Sequence, residues 1–245
     1  MSRVLITVEY NGKNYLGWQK NGENKSIEYE LERAFSKVLK ESTAVVASGR
    51  TDAGVHALAQ TAHLDIPKNF TAIKSLGKSV NEILPPDIRV TSVKTVSDKF
   101  HARYNVKSKT YLYKCYVSAV SSPTREGLYA HVNSVLDLQK IKSATKLFVG
   151  KHNFKAFCSS GGDNETFERE VISIDVAKHG DELFFFVKGK GFLYNMVRLI
   201  VGSLIKVGQN KLSEGQIANA LETGSKDNLG EKMPPHGLYL YKVEY

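Results

Sequence analysis

Residues Ser48-Gly49-Arg50-Thr51-Asp52-Ala53-Gly54-Val55-His56 set a cation and a carboxylate between two glycines. The glycines permit tight backbone geometry and let a ligand come close to the chain. Two readings of Asp52 stand: an Asx-type turn that bonds its own backbone, or a carboxylate kept for chemistry. Arg198 poses a parallel question, because Met196, Val197, Leu199 and Ile200 surround it in sequence. A guanidinium there must snorkel to water or find an anion, since burying it unpaired is costly. A carboxylate would satisfy it, and Asp52 is a candidate. Tyr111 has Tyr113 on the same face of its strand. It is either a core residue or an aromatic platform for a nucleobase.

The elements that must position these groups follow a repeated order. Residues 3–10 read as a strand. Ser26 suits the cap of a helix whose apolar residues Ile27, Leu31, Ala34, Phe35 and Leu39 recur at helical spacing. Short strands are expected over 43–48 and 56–66, on either side of the Arg50–Asp52 turn. A helix from Thr71, stopped by Pro85-Pro86, leads to a strand over 88–96. The order β-α-β-β-α-β is that of the split βαβ, or ferredoxin-like, unit.

The second half reads the same way. A strand over 109–117 carries Tyr111, and Asp137 suits the cap of a helix ending near Gly150. A loop is expected over 151–168, then a hairpin of 170–178 and 182–190. The most apolar helix spans 192–207 and carries Arg198. Ser213 and Gln216 form a capping box, and residues 237–245 end the sequence as a strand. The expected fold class is therefore α+β: two tandem ferredoxin-like halves, 1–106 and 107–245, with a cleft between them as a natural place for a ligand.

Several chemical motifs fail on inspection. Gly77-Lys78-Ser79 lacks the first glycine of a phosphate loop, since Ala72 stands there, and it lies in a helical pattern. Gly189-Lys190-Gly191 lacks the third glycine of a dinucleotide fingerprint. His56 and His63, an odd number apart on one strand, face opposite sides, which argues against a metal shared with Asp52. Turn and surface positions are expected for both histidines.

Composition narrows the classes further. The 245 residues are 42% hydrophobic and 24% charged, an ordinary globular composition that argues against a disordered chain. No apolar run reaches the ~18 residues that a membrane-spanning helix needs, and the polar turn after the first strand is unlike a signal peptide. Two cysteines, Cys115 and Cys158, are too few for a disulfide scaffold and fit a reducing cytoplasm. The net charge is +9, from 34 basic and 25 acidic residues, and both halves share the excess. Such a surface suits a polyanionic partner, and it equally suits plain solvation.

Gly49 through Ala57 resembles the signature of the tRNA pseudouridine synthase A family. So do GKNYLGWQ (12–19), LPPDIRV (84–90), FHARY (100–104), KTYLYKCY (109–116), HNFKAFC (152–158), the helix segment 191–208 and PPHGLYLYKVEY (234–245), in the family's order. The resemblance implies isomerisation of uridine to pseudouridine in tRNA, on the 3′ side of the anticodon stem-loop. It also implies a homodimer of two-half subunits in the cytoplasm, with no metal and no organic cofactor. By resemblance Asp52 is the essential aspartate, Tyr111 the active-site tyrosine, Arg198 the arginine that pairs with the aspartate, and Arg50 the arginine of the signature loop. A close Arg198 would keep Asp52 ionised.

Ile27-Glu28 replaces the family's usual Val-Gln, and Arg125 is the one arginine in 118–128. These departures bear on which uridines and which tRNAs are modified. The competing readings are a related synthase acting on other RNA sites and a non-catalytic RNA-binding protein on the same scaffold.

Overall fold

The computed structural model describes residues 1–21, 25–161 and 165–245. It divides into two compact units, Met1–Lys107 with Tyr239–Tyr245, and Ser108–Leu238. Residues 239–245, read from sequence with the second half, thus group with the first unit.

The first unit contains β1 (Ser2–Tyr10), α1 (Ile27–Leu39), β2 (Val46–Ala47), β3 (His56–Ile66), α2 (Ile73–Asn81) and β4 (Ile88–Thr95). β1 lies between β3 and β4, antiparallel to both, and β2 takes the other edge of β3. The order β4-β1-β3-β2 is the ferredoxin-like arrangement. Alternation along β1 buries Val4, Ile6, Val8 and Tyr10 on one face. Helical spacing buries Ile27, Leu31, Ala34 and Phe35 of α1. Ser26 caps α1 as expected, its Oγ accepting from the Tyr29 N–H at 3.3 Å. The last strand, β10 (Leu238–Glu244), runs parallel to β3, with Tyr239 and Leu240 opposite His56 and Ala57.

The expected strand over 43–48 shrinks to two residues because helix side chains take its backbone donors. The Thr43 N–H donates to Ser36 Oγ and the Val45 N–H to Glu32 Oε1. α2 starts at Ile73 rather than Thr71, behind an Ala72 cap that makes no side-chain bond. Asn81 ties the end of α2 to β4, exchanging two bonds of 2.8 Å with the Val90 backbone. Gly77-Lys78-Ser79 lies inside α2.

The second unit contains β5 (Ser108–Val117), β6 (Ala130–Val132), α3 (Leu138–Thr145), β7 (Gly150–Asn153), β8 (Glu168–His179), β9 (Glu182–Gly189), α4 (Met196–Gly208) and α5 (Glu214–Thr223). Antiparallel pairing runs β5-β9-β8-β7, and β6 lies parallel to the end of β5. Asp137 caps α3 through the Gln139 and Lys140 N–H groups, and the Ser213–Gln216 capping box is present. Within 151–168, expected as loop, the described residues hold part of β7 and a 3-10 turn at Lys155–Phe157; residues 162–164 lie outside the described residues. α4 begins at Met196 instead of 192, because Asn195 takes a left-handed conformation (φ 60°) that breaks the helix path there. Among the described residues no helix is long and apolar enough to cross a membrane.

Candidate active site

The turn from β2 to β3 is fixed from three directions. Gln60 of β3 reaches back to its start, accepting from Ser48 Oγ at 2.7 Å and donating to the Gly49 carbonyl at 2.9 Å. Tyr10, at the end of β1, shares a 2.7 Å hydrogen bond with Thr51 Oγ1. Burial raises the Tyr10 phenol well above its usual range, so it stays protonated in that bond. The third support is the backbone of 12–18. Trp18 donates its N–H to the Thr51 carbonyl at 2.9 Å, and Gly54 donates to the Tyr15 carbonyl at 3.3 Å.

Two glycines make this approach possible. A Cβ on Gly12 would stand 2.0 Å from the Val55 carbonyl oxygen, and one on Gly17 (φ 96°) would stand 2.6 Å from that of Thr51. Gly54 itself has φ 76° and lets the turn re-enter β3. The segment GKNYLGWQ is therefore the backing of the Asp52 turn. The sequence marks it only as a separate motif, and its two glycines were the available signal.

Asp52 sits half-buried on this frame and Arg50 is exposed. The Asp52 carbonyl accepts from the Val55 N–H at 3.1 Å, closing the turn. The two histidines depart from expectation: both are buried, not surface residues. His56 accepts the Gly12 N–H on Nδ1 at 3.0 Å, and its ring stacks on Tyr239 at 4.6 Å. His63 accepts the Ala102 N–H on Nδ1 at 3.1 Å. Each is thus committed to holding a backbone segment, and no group of three or more metal-ligating side chains occurs among the described residues.

In the second unit, Tyr111 lies on β5 opposite Val187, half-buried, with its ring packed edge-on against Phe192 at 5.2 Å. Tyr113 is a core residue whose hydroxyl donates to the Pro234 carbonyl at 2.7 Å. Arg198 does not snorkel. It is 7% exposed on α4, its Nε donating to the Met233 carbonyl and its Nη1 to Asn195 Oδ1, each at 2.6 Å. Asn195 is itself anchored by donating from Nδ2 to Ser159 Oγ at 3.0 Å. Met233 is delivered by a chain segment lying directly on α4. A Cβ on Gly202 would meet the Glu231 carbonyl oxygen at 1.9 Å, and the Gly230 N–H donates to Ser203 Oγ at 3.0 Å. The sequence pointed to Arg198 but not to Asn195 or Met233, which fix its plane.

Arg125 is spent on ion pairs with Asp181 (2.7 Å) and Glu182 (3.5 Å) of its own unit. Glu28 accepts the Lys20 backbone N–H at 2.7 Å, so the family's usual glutamine is replaced by an acid that closes the end of the 12–20 segment.

The sequence model of the family described as tRNA pseudouridine synthase matches residues 6–105 and 144–245. A tRNA pseudouridine synthase A 2 of Clostridium perfringens is 39% identical over 246 residues, covering all of both chains. A tRNA pseudouridine synthase A 1 of Bacillus cereus is 38% identical over 100% of this chain and 99% of its own. A tRNA pseudouridine synthase A of Thermoanaerobacter sp. is 37% identical over the full length of both. Among solved structures, a chain of a Cbf5–Nop10–Gar1 complex matches 96% of this chain and 57% of its own at 13% identity, with a TM-score of 0.41, and nothing in the assignment rests on it. Full-length identity near two-fifths, with both halves matched, means that the chain belongs to the tRNA pseudouridine synthase family, isomerases that convert uridine to pseudouridine in tRNA.

Proposed function

We propose that Asp52 is the catalytic residue of this isomerase and that Tyr111, Arg198 and Arg50 bind the substrate uridine. The observation that carries the reading is the Asp52 turn: a half-buried carboxylate on a backbone held by β1, β3 and the 12–18 segment. A carboxylate that only closed its own turn would not need that support from three separate strands of chain.

The reaction breaks the N1–C1′ bond, turns the detached uracil and joins C5 to C1′. Positive charge develops on the ribose as the bond breaks, and an ionised carboxylate beside C1′ stabilises it, attacks it or takes a nearby proton. Arg198, fixed by Asn195 and Met233, supplies a preorganised positive charge for the anionic groups of this sequence. Tyr111, held edge-on by Phe192, offers its face to the detached base or takes the C5 proton. A stacked uridine is out of reach of any carboxylate, so the nucleotide must leave its stack. Arg50, long and exposed beside Asp52, fills the gap or holds the neighbouring phosphate. The targets are uridines on the 3′ side of the anticodon stem-loop, and the enzyme works as a cytoplasmic homodimer without metal or organic cofactor.

The test is tritium release from tRNA labelled at uridine C5, without added metal. Wild type should release tritium, and Asp52→Asn should bind tRNA but release none. Turnover by Asp52→Asn at the wild-type rate would end the assignment. Sequencing of the modified positions checks the anticodon-stem target, and a light-scattering mass near that of one 27.2 kDa chain would overturn the dimer.

A further inference from the structure

Residues 97–107 link β4 to β5 and carry the most exposed aromatic side chain among the described residues, Tyr104, at 77%. Its ring lies nearly flat on the imidazole of His101, with centroids 4.2 Å apart and planes 27° apart. His101 backs the ring, and the side chain is otherwise largely exposed. Exposed tyrosines are common on protein surfaces, but this one sits on a backbone that is bonded at almost every step.

The Arg3 guanidinium donates to the Phe100 carbonyl at 2.8 Å, and Phe100 packs edge-on against Tyr245 at 4.8 Å. The Ala102 N–H is taken by His63 and its carbonyl by the Tyr245 hydroxyl at 2.9 Å. The His101 N–H donates to Asn105 Oδ1 at 2.6 Å, and the Asn105 N–H returns to the His101 carbonyl at 3.0 Å. His101 Nδ1 accepts from the Arg103 and Tyr104 N–H groups at 3.2 and 3.4 Å, which turns the imidazole flat beneath the tyrosine ring. Within 97–107, Lys99, Arg103 and Lys107 are exposed, and Asp98 is the one acid of the segment.

An exposed aromatic face backed by a second ring, on a hydrogen-bonded segment that carries three exposed cations, fits one ligand chemistry well. Nucleobases stack on such faces whatever their identity, and the adjoining phosphates are met by lysine and arginine. Preorganisation means that little side-chain entropy is lost on binding. We propose that Tyr104, backed by His101, is a stacking platform for an unpaired nucleotide of the tRNA substrate, separate from the uridine that is isomerised. Its backing on His63 and Tyr245 keeps the platform in place when RNA is absent.

The experiment measures binding of the full-length enzyme to unmodified tRNA across a salt series, for wild type, Tyr104→Ala, Tyr104→Phe and Tyr104→Trp. Tyr104→Ala should raise Kd about tenfold at every salt concentration, with the salt slope unchanged, because stacking releases no counterions. Tyr104→Phe should restore wild-type affinity, and kcat at saturating tRNA should not change in either. Tyr104→Trp should bind normally, and its emission, read against the single wild-type Trp18, should be quenched by tRNA. Unchanged Kd in Tyr104→Ala, or unquenched emission in Tyr104→Trp, overturns the platform. So does a lowered light-scattering mass for Tyr104→Ala, which would assign the pair to a contact between copies of the chain. The wild-type control keeps the substrate itself a separate question: failure of wild type to bind tRNA would tell against the substrate assignment instead.

Discussion

Gly17 and Thr51 meet backbone to backbone. A Cβ on Gly17 would lie 2.6 Å from the Thr51 carbonyl oxygen, the atom that accepts the Trp18 N–H one residue along. The amino-terminal motif and the Asp52 turn therefore form one piece of structure, and neither can move without the other.

Gly17→Ala should accordingly damage both stability and chemistry. The residue has φ 96°, which an alanine adopts only with strain, and the new methyl group meets backbone that cannot swing aside. A loss of about 3 kcal/mol is expected in chemical denaturation. The surviving folded protein should show a lower kcat, because Asp52 lies next to Thr51. Wild-type activity in a Gly17→Ala protein of normal stability would remove the link between the two segments.

Arg198→Lys keeps the charge and loses the fork. Lysine cannot donate to the Met233 carbonyl and Asn195 Oδ1 from two fixed nitrogens in one plane. If Arg198 acts as a preorganised cation, kcat should fall about 100-fold while tRNA affinity changes little. Asn195→Gly tests the same support from outside the helix, since glycine accepts the φ of 60° without offering an amide. It should lower kcat in the same direction by a smaller factor. Full activity in both variants would leave Arg198 a structural residue.

His63 makes folding stability depend on pH. Burial, reinforced by the positive charges of Arg3 and His101 and opposed by Asp65, holds its imidazole down at about 4. The unfolded chain returns it to about 6.5. Between those values the unfolded state binds a proton that the folded state refuses. The stability due to this group is thus complete above about pH 6.5 and is lost as pH falls toward 4. The Asp65 carboxyl, held below its usual range by hydrogen bonds from Arg3 at 2.8 Å, acts in the same direction at still lower pH. Denaturation midpoints at pH 7 and pH 5 should differ in wild type. They should differ less in His63→Asn, whose side-chain oxygen can still accept the Ala102 N–H. Equal pH dependence in the two proteins would show that another group titrates.

The sequence by itself determined most of the framework and the outline of the chemistry. Period-two alternation in 3–10 and 109–117 and helical spacing in 27–39 are local properties, and so are the caps Ser26, Asp137 and Ser213, so they could be read along the chain. The Arg50–Asp52 turn and Arg198 among apolar neighbours in sequence stood out because charged groups between glycines or within an apolar helix demand an explanation. Only the tertiary structure decided what those residues touch. It buried His56 and His63 as acceptors for distant backbone N–H groups, and it cut β2 to two residues because α1 side chains took its donors. It also brought Gly12 and Gly17 onto the Asp52 turn, and Met233 onto Arg198. Each of these is a hydrogen bond or a backbone approach between segments remote in sequence. Such contacts leave no periodicity for a reader of the sequence, because they exist only once the chain has folded back on itself.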